Sequence, residues 1–382
     1  MGIQIRKWKT ASGEQREAYI IRYSKDGRRH IETHERKKDA EARWAQIKVD
    51  LGEGTHVAPS QSITVAQAAQ EWLAACEGKR GLERSTSEQY KAHVHHHIVP
   101  FIGRLRLTDL TLARVSEFED RLSSEGRSPV LCKKVLTSLC SILAEAQRRG
   151  KVQRNVIRDR ARTGGNNKPK QRKRLEVGVD IPTPAETRAI IAATTPEYKT
   201  LLLVTALTGM RASEVRGLRW CDVDLKANKV RVAQRIDQYH AAGAPKSKTG
   251  TRTIPLPGPA VRALKEWKLK SGNRDGLVFP MSDGRDIPLV TIARQLRAAG
   301  IAARVVNEKG EPKYTGMHSL RHFYASWCIN RIEDGGCGLP AKLVQERLGH
   351  SNISMTLDVY GHLFPHGDDG GALDRAAEAL LG

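Results

Sequence analysis

One stretch limits what this chain can fold into more than any other. Residues 161–175, "ARTGGNNKPKQRKRL", hold six Lys and Arg, no acid and almost nothing apolar. Such a segment has no face to bury and reads as a flexible, basic linker. At 382 residues the chain is also too long for one ordinary core. The sequence therefore divides at a linker spanning 161–180, with separate units before and after it.

Ahead of the linker, residues 1–33 alternate and break at "ASGE" and "KDG", the pattern of a three-stranded hairpin sheet. The segment "RKKDAEARWAQIKVDL" (36–51) follows as a helix closed by Gly52 and Gly54. Residues 1–55 thus form a small sheet-plus-helix domain, with eleven Lys and Arg against five acids in its first 38 positions. After the polar joint "SQSIT", residues 62–160 read as an all-helical domain of about four helices. Apolar residues at 65, 68, 69, 72 and 73 make the first helical stripe. A second helix opens at Ser85 or Thr86 and stops before Pro100, and Gly126 and Gly150 end the next two.

Beyond the linker, "PTPAET" supplies Thr183 as N-cap, Pro184 at the first helical position and Glu186 to complete a capping box. Helical patterns cover 184–194, 197–208, a short run from Arg211, 258–271, 289–303, 318–330 and 341–348. "NKVRVAQRI" and "GTRTIPLP" read as strands around the loop "DQYHAAGAPKSKT". The fold class is a multidomain chain, mainly α with small β elements, whose last domain (181–382) is α+β.

Lys and Arg number 64 against 42 Asp and Glu, a formal charge of +22. An excess of this size points to a polyanionic partner, nucleic acid being the commonest and an anionic membrane surface the rival. No segment approaches the roughly 20 apolar residues of a membrane span and no apolar leader follows the start, so no membrane partner is expected and the protein is placed in the cytoplasm. The six cysteines are scattered without a CxxC pair, which fits reduced thiols rather than a disulfide framework or thiolate zinc site. The run "HVHHH" (93–97) has no neighbouring Cys or paired carboxylates, and adjacent helical positions point apart. It reads as imidazoles on a solvated or DNA-facing surface.

Four stretches carry chemistry: "TGMRASE" (208–214), "PKSKTGTRTIPL" (245–256), "HSLRH" (318–322) and "LGHSNISMTLDVYGHL" (348–363). Each is weak alone, but in this order and spacing they resemble the tyrosine recombinases of the phage-integrase family. The 62–160 domain resembles that family's helical core-binding domain, and residues 1–55 its N-terminal arm-type DNA-binding domain. The resemblance implies a catalytic set of Arg211, Lys248, His318, Arg321, His350 and the nucleophile Tyr360, with Glu214 as active-site support. Lys248 is assigned by its "SKTG" context, with Lys246 as the alternative; His362 reads as a surface residue.

The residue types suit the reaction. A phosphodiester repels nucleophiles through its own charge, and two guanidiniums can each give it paired N–H bonds. A phenol with a pKa near 10 needs help to lose its proton, and the resemblance implies His318 as general base, His350 as phosphate ligand and Lys248 as acid for the leaving 5′-oxygen. The product is a 3′-phosphotyrosyl link that stores the bond energy, so neither cofactor nor metal is expected. The implied partners are DNA, further copies of the chain (a tetramer on recombining sites), and an accessory DNA-bending or excision factor. After Tyr360, "HLFPHGDDGG" forms a tether to "ALDRAAEALL", an amphipathic tail helix that can fold back on its own domain or, as the resemblance implies, dock on a neighbouring protomer. A type IB topoisomerase-like relaxing enzyme and a catalytically inactive DNA-binding regulator are the alternative readings.

Overall fold

A computed structural model describes residues 2–11, 14–25, 27–52, 56–58, 62–79, 82–163, 174–272, 275–365 and 370–382. The chain forms two compact units, Met1–Lys168 and Pro169–Gly382. Most of the basic stretch expected as a linker, 164–173, lies outside the described residues, as does Gly54.

The first unit opens with an antiparallel meander of β1 (Gly2–Lys9), β2 (Gln15–Lys25) and β3 (Arg28–His34), with Ile5 opposite Tyr19 and Tyr23 opposite His30. The inward residues of β2, Ile21 and Tyr23, pack with Ala40 and Ile47 of α1 (Lys37–Gly52). Arg43 of α1 holds Glu32 of β3 through Nε at 2.7 Å and Nη2 at 3.2 Å, pinning helix to sheet.

The helical part comprises α2 (Val65–Lys79), α3 (Arg84–His93), α4 (Val99–Ile102), α5 (Leu112–Ser124), α6 (Pro129–Arg148) and α7 (Val156–Thr163). Their core gathers Trp72, Ile98, Phe118, Leu122 and Leu139. Hydroxyls of Thr111 and Ser128 cap α5 and α6 by accepting from Arg114 N and Leu131 N.

Three local expectations are corrected here. Helix α3 begins at Arg84, because the Glu83 carbonyl already accepts from Thr86 and Ser87, so Ser85 and Thr86 lie inside the first turn. The helix does not stop before Pro100: residues Val94–Ile98 form one π turn, and Pro100 sits in the first turn of α4, where its missing N–H costs nothing. His93 is not on the surface; it is buried, its Nδ1 2.8 Å from Ser138 Oγ, while His95 and His96 are exposed.

The second unit starts with α8 (Pro184–Ala193), carrying the expected Thr183–Glu186 capping box, then α9 (Pro196–Thr208) and α10 (Ala212–Arg216). Strands β4 (Val223–Asp224), β5 (Lys229–Val232) and β8 (Arg252–Pro255) form one antiparallel sheet in the order β4-β5-β8; β6 (Arg235–Ile236) and β7 (Ala242–Gly243) form a two-stranded ribbon. Helices α11 (Gly258–Ser271), α12 (Leu289–Ala302), α13 (His318–Ile329), α14 (Ala341–Leu348), α15 (Ile353–Tyr360) and α16 (Gly370–Leu381) complete it.

Helix α13 separates two hydrophobic clusters. Leu320 and Phe323 belong to the large core with Leu202, Ile254, Leu264 and Leu296. Tyr324, Ala325, Cys328 and Ile329 pack with Val344, Leu348 and Tyr360. A helix buried on both sides has little freedom to shift, which suits it to presenting reactive groups at its N-terminal end.

Where α9 meets α13, Gly209 adopts φ +61°, the left-handed region that favours glycine, and a Cβ there would overlap the Tyr324 ring. Gly209→Ala is expected to cost at least about 2 kcal/mol, from the left-handed backbone and the overpacked ring. Thermal unfolding of the full chain measures it.

Candidate active site

The site is built from backbone ends. Gly209 terminates α9 and leaves its carbonyl oxygen facing Arg321, whose Nη1 donates to it at 2.7 Å. Two residues later Arg211 stands just before α10, its backbone N–H donating to Glu214 Oε2 at 2.8 Å and its Nη1 to Oε1 at 2.8 Å. On the far side α14 ends in Gly349, also left-handed at φ +65°.

Three arginines meet the carbonyls of that turn. Arg252 Nε donates to Arg347 O at 2.7 Å, Arg321 Nη2 to Leu348 O at 2.6 Å, and Arg211 Nη2 to Gly349 O at 3.3 Å. The last carbonyls of a helix lack intrahelical partners and carry the negative end of its dipole, so they suit cations. Glu214 supplies the balancing charge. Its carboxylate is buried and also accepts from Arg252 Nη1 at 3.1 Å and Nη2 at 2.9 Å, which fills its acceptor sites from two guanidiniums and the Arg211 backbone amide. Burial works against Glu214 ionising, but the hydrogen bonds and charge of Arg252, with Arg211 behind them, hold its carboxyl below the ordinary carboxylate value.

The imidazoles and the phenol form the other half. His350 follows Gly349; its Nδ1 lies 2.9 Å from Thr356 Oγ1, and its ring stacks parallel to Tyr360 with centroids 6.5 Å apart. Tyr360 is the last residue of α15, a helix capped by Asn352. Its ring is 2% exposed, and its hydroxyl bonds His322 Nδ1 at 2.7 Å. Burial pushes the phenol up to about 12, opposed by the charges of Arg321 and Arg211. His318, at the first turn of α13, keeps an exposed edge and sits 5.0 Å from the His322 ring, edge to face. Burial, then Arg321 and Arg211, lowers its pKa.

Arg211, Glu214, Arg321, His318, His350 and Tyr360 are therefore brought to one place. The backbone of Lys248 opens a 3-10 turn (Lys248–Gly250) leading into β8; its side chain lies outside the described residues. That turn borders the site, since Thr249 O would lie 3.0 Å from a Cβ on Gly349 and Gly250 O accepts from Arg252 Nη1 at 3.0 Å. Two residues of the site are not singled out by the motifs, Arg252 and His322. His322 carried a legible signal, because it stands four residues after His318 and so on the same helical face. His362 is not merely a surface residue: it is half-buried and donates through Nε2 to Leu175 O at 2.7 Å.

Residues 183–366 match the phage integrase family. A tyrosine recombinase XerC-like protein of Caldanaerobacter subterraneus is 25% identical over 86% of this chain and 86% of its own length. An integrase of Streptomyces ambofaciens is 27% identical over 85% of this chain and 82% of its own. Among solved structures, the Tn1549 transposon integrase in complex with transposon right end DNA superposes with a TM-score of 0.64 at 18% identity, covering 83% of this chain and 99% of that one. A lambda integrase dimer bound to a core site gives 0.61 at 18% identity, covering 95% and 97%. The fold is thus that of the tyrosine-recombinase integrases. Residues 183–366 of this chain belong to the phage integrase family of tyrosine recombinases.

The buried imidazoles make the site acid-labile. His322 and His350 are each lowered to about 4, by burial first and then by neighbouring cationic groups, His318 for His322 and Arg321 for His350. Both are neutral in the folded chain, whereas an unfolded chain protonates them below about 6.5. Their contribution is therefore complete above pH 6.5 and is lost as pH falls towards 4. The melting temperature is expected to drop across that window, less steeply in His350→Gln, as read by thermal unfolding at stepped pH.

Proposed function

We infer that this chain is a site-specific DNA recombinase, the integrase of a phage or another mobile element, which cuts and rejoins strands through a 3′-phosphotyrosyl intermediate. The convergence of Arg211, Arg321 and His350 around the hydroxyl-bearing ring of Tyr360 carries the reading. In this scheme Arg211 and Arg321 grip the non-bridging oxygens of the scissile phosphate with donors left over from their carbonyl bonds. His350 and His318 face the same phosphate. Tyr360 Oη attacks phosphorus, the bond to the 5′-oxygen breaks, and Lys248 protonates the leaving oxygen. A 5′-hydroxyl from a partner duplex reverses the step. Losing one such electrostatic donor typically costs about 10²–10³ in rate.

Relatives support DNA and further copies of the chain as partners. The Tn1549 integrase is solved with transposon DNA, and lambda integrase as a dimer on a core site and a tetramer on a Holliday junction. We extend double-stranded DNA and a tetramer on recombining sites to this chain, with residues 62–160 and 181–382 clamping the core site and 1–55 on separate arm sites. An accessory DNA-bending or excision factor serves the excisive direction. Among the described residues no helix is long and apolar enough to cross a membrane, and we place the working protein on DNA in the cytoplasm.

A suicide substrate nicked near the cleavage site tests the chemistry. Wild type should form a covalent complex, and Tyr360→Phe, which removes one hydroxyl, should bind the same DNA with none. Residual trapping in Tyr360→Phe would remove the nucleophile assignment. Recombination of two duplexes, rather than relaxation alone, separates a recombinase from a topoisomerase.

The tail helix α16 exposes Leu380 and Leu381. Docked on a neighbouring protomer, it would couple assembly to cleavage. Deleting 371–382 should then weaken cooperative assembly in a gel-shift titration, with single-site affinity retained.

A further inference from the structure

We propose that His322 is a catalytic residue, whose Nδ1 accepts the phenolic proton of Tyr360 as that oxygen attacks phosphorus. The proposal rests on Tyr360 being the nucleophile. A neutral phenol has one proton to donate, and its surroundings leave it few acceptors. Arg321 and Arg211 are donors only. His350 presents its ring face, parallel to the phenol, and its Nδ1 is engaged with Thr356. Among the described residues, the hydrogen bond recorded for the Tyr360 hydroxyl is the 2.7 Å contact to His322 Nδ1. With the phenol donating there, His322 carries its proton on Nε2 and a lone pair on Nδ1.

The groups facing His322 keep that lone pair free. His318 and Arg321 from α13 oppose its protonation and Asp180, from the turn before α8, favours it; burial and the cations prevail. In the free protein the proton stays on oxygen. The negative charge of the phosphate makes His322 easier to protonate, and formation of the O–P bond makes the phenolic proton far more acidic. The proton passes to Nδ1, Oη bonds phosphorus, the P–O5′ bond breaks, and the leaving 5′-oxygen takes a proton from Lys248. On rejoining, the imidazolium returns the proton to the departing phenolate. His318, which has no recorded hydrogen bond to the phenol, is left to the phosphate.

Two substrates separate the steps: a nicked duplex with an ordinary scissile phosphate, and one with a 5′-bridging sulfur, whose thiolate leaves without protonation. His322→Gln keeps a hydrogen-bond acceptor but no usable base. It should slow covalent trapping by about 10²–10⁴-fold on both substrates, with a rate that keeps rising at alkaline pH where wild type levels off. Lys248→Ala should instead recover on the sulfur substrate. Rescue of His322→Gln by sulfur, or a rate within threefold of wild type, overturns the proposal. Trapping in Tyr360→Phe would instead sink the underlying site reading. Should His322→Gln fail to fold, ¹⁵N-histidine NMR of the wild-type chain decides: an unprotonated Nδ1 on His322 supports the proposal, and a protonated one overturns it.

Discussion

Like charges do not gather willingly in a protein interior. Two unit charges 4 Å apart interact by about 4 kcal/mol at an effective dielectric near 20, and burial adds its own cost. Arg211, Arg252 and Arg321 nevertheless share one site, with Arg321 almost wholly buried. Glu214 offsets part of the repulsion by taking four hydrogen bonds, two from Arg211 and two from Arg252. The end of α14 offsets the rest, since three successive carbonyls that would otherwise lack partners each accept from a different guanidinium. Every other feature of the site is arranged around this balance.

With the cations already oriented in the free protein, an incoming phosphate meets donors that need no rearrangement, which is where electrostatic catalysis draws its strength. The proposed nucleophile is held differently. Tyr360 is buried, burial opposes its ionisation, and its hydroxyl is hydrogen-bonded to His322. Cation placement is thus complete before DNA arrives, while in the proposed scheme the phenol stays neutral until bond formation to phosphorus makes its proton acidic. That division keeps a reactive oxyanion from forming without a substrate.

Local chemistry was readable where its partners are near in the chain. The Thr183–Pro184–Glu186 start of α8, the three-stranded sheet at the N-terminus, and the spacing that puts His318 and Arg321 on one face all depend on neighbours within a few residues. Arg252 was not readable, because its importance comes from Glu214, 38 positions away, and Arg347, 95 away. Pro100 misled for a related reason: a proline stops a regular α-helix, but the π turn at 94–98 resets the register and makes it a first-turn residue. Ser138 draws His93 inward across 45 positions, which no pattern in "HVHHH" announces. His322 lies between these cases, on the right face by spacing but given its meaning only by Tyr360, 38 residues on.

The acceptors for all three guanidiniums lie on three consecutive residues, 347–349, of one short turn. The same strand of backbone runs on through His350 into α15 and Tyr360. A displacement of that turn would break one hydrogen bond from each of the three cations at once and carry Tyr360 with it, so the centre behaves as a hinge pin rather than as separate fittings. Anything that tugs on the polypeptide beyond α15 therefore acts on the whole assembly in one stroke.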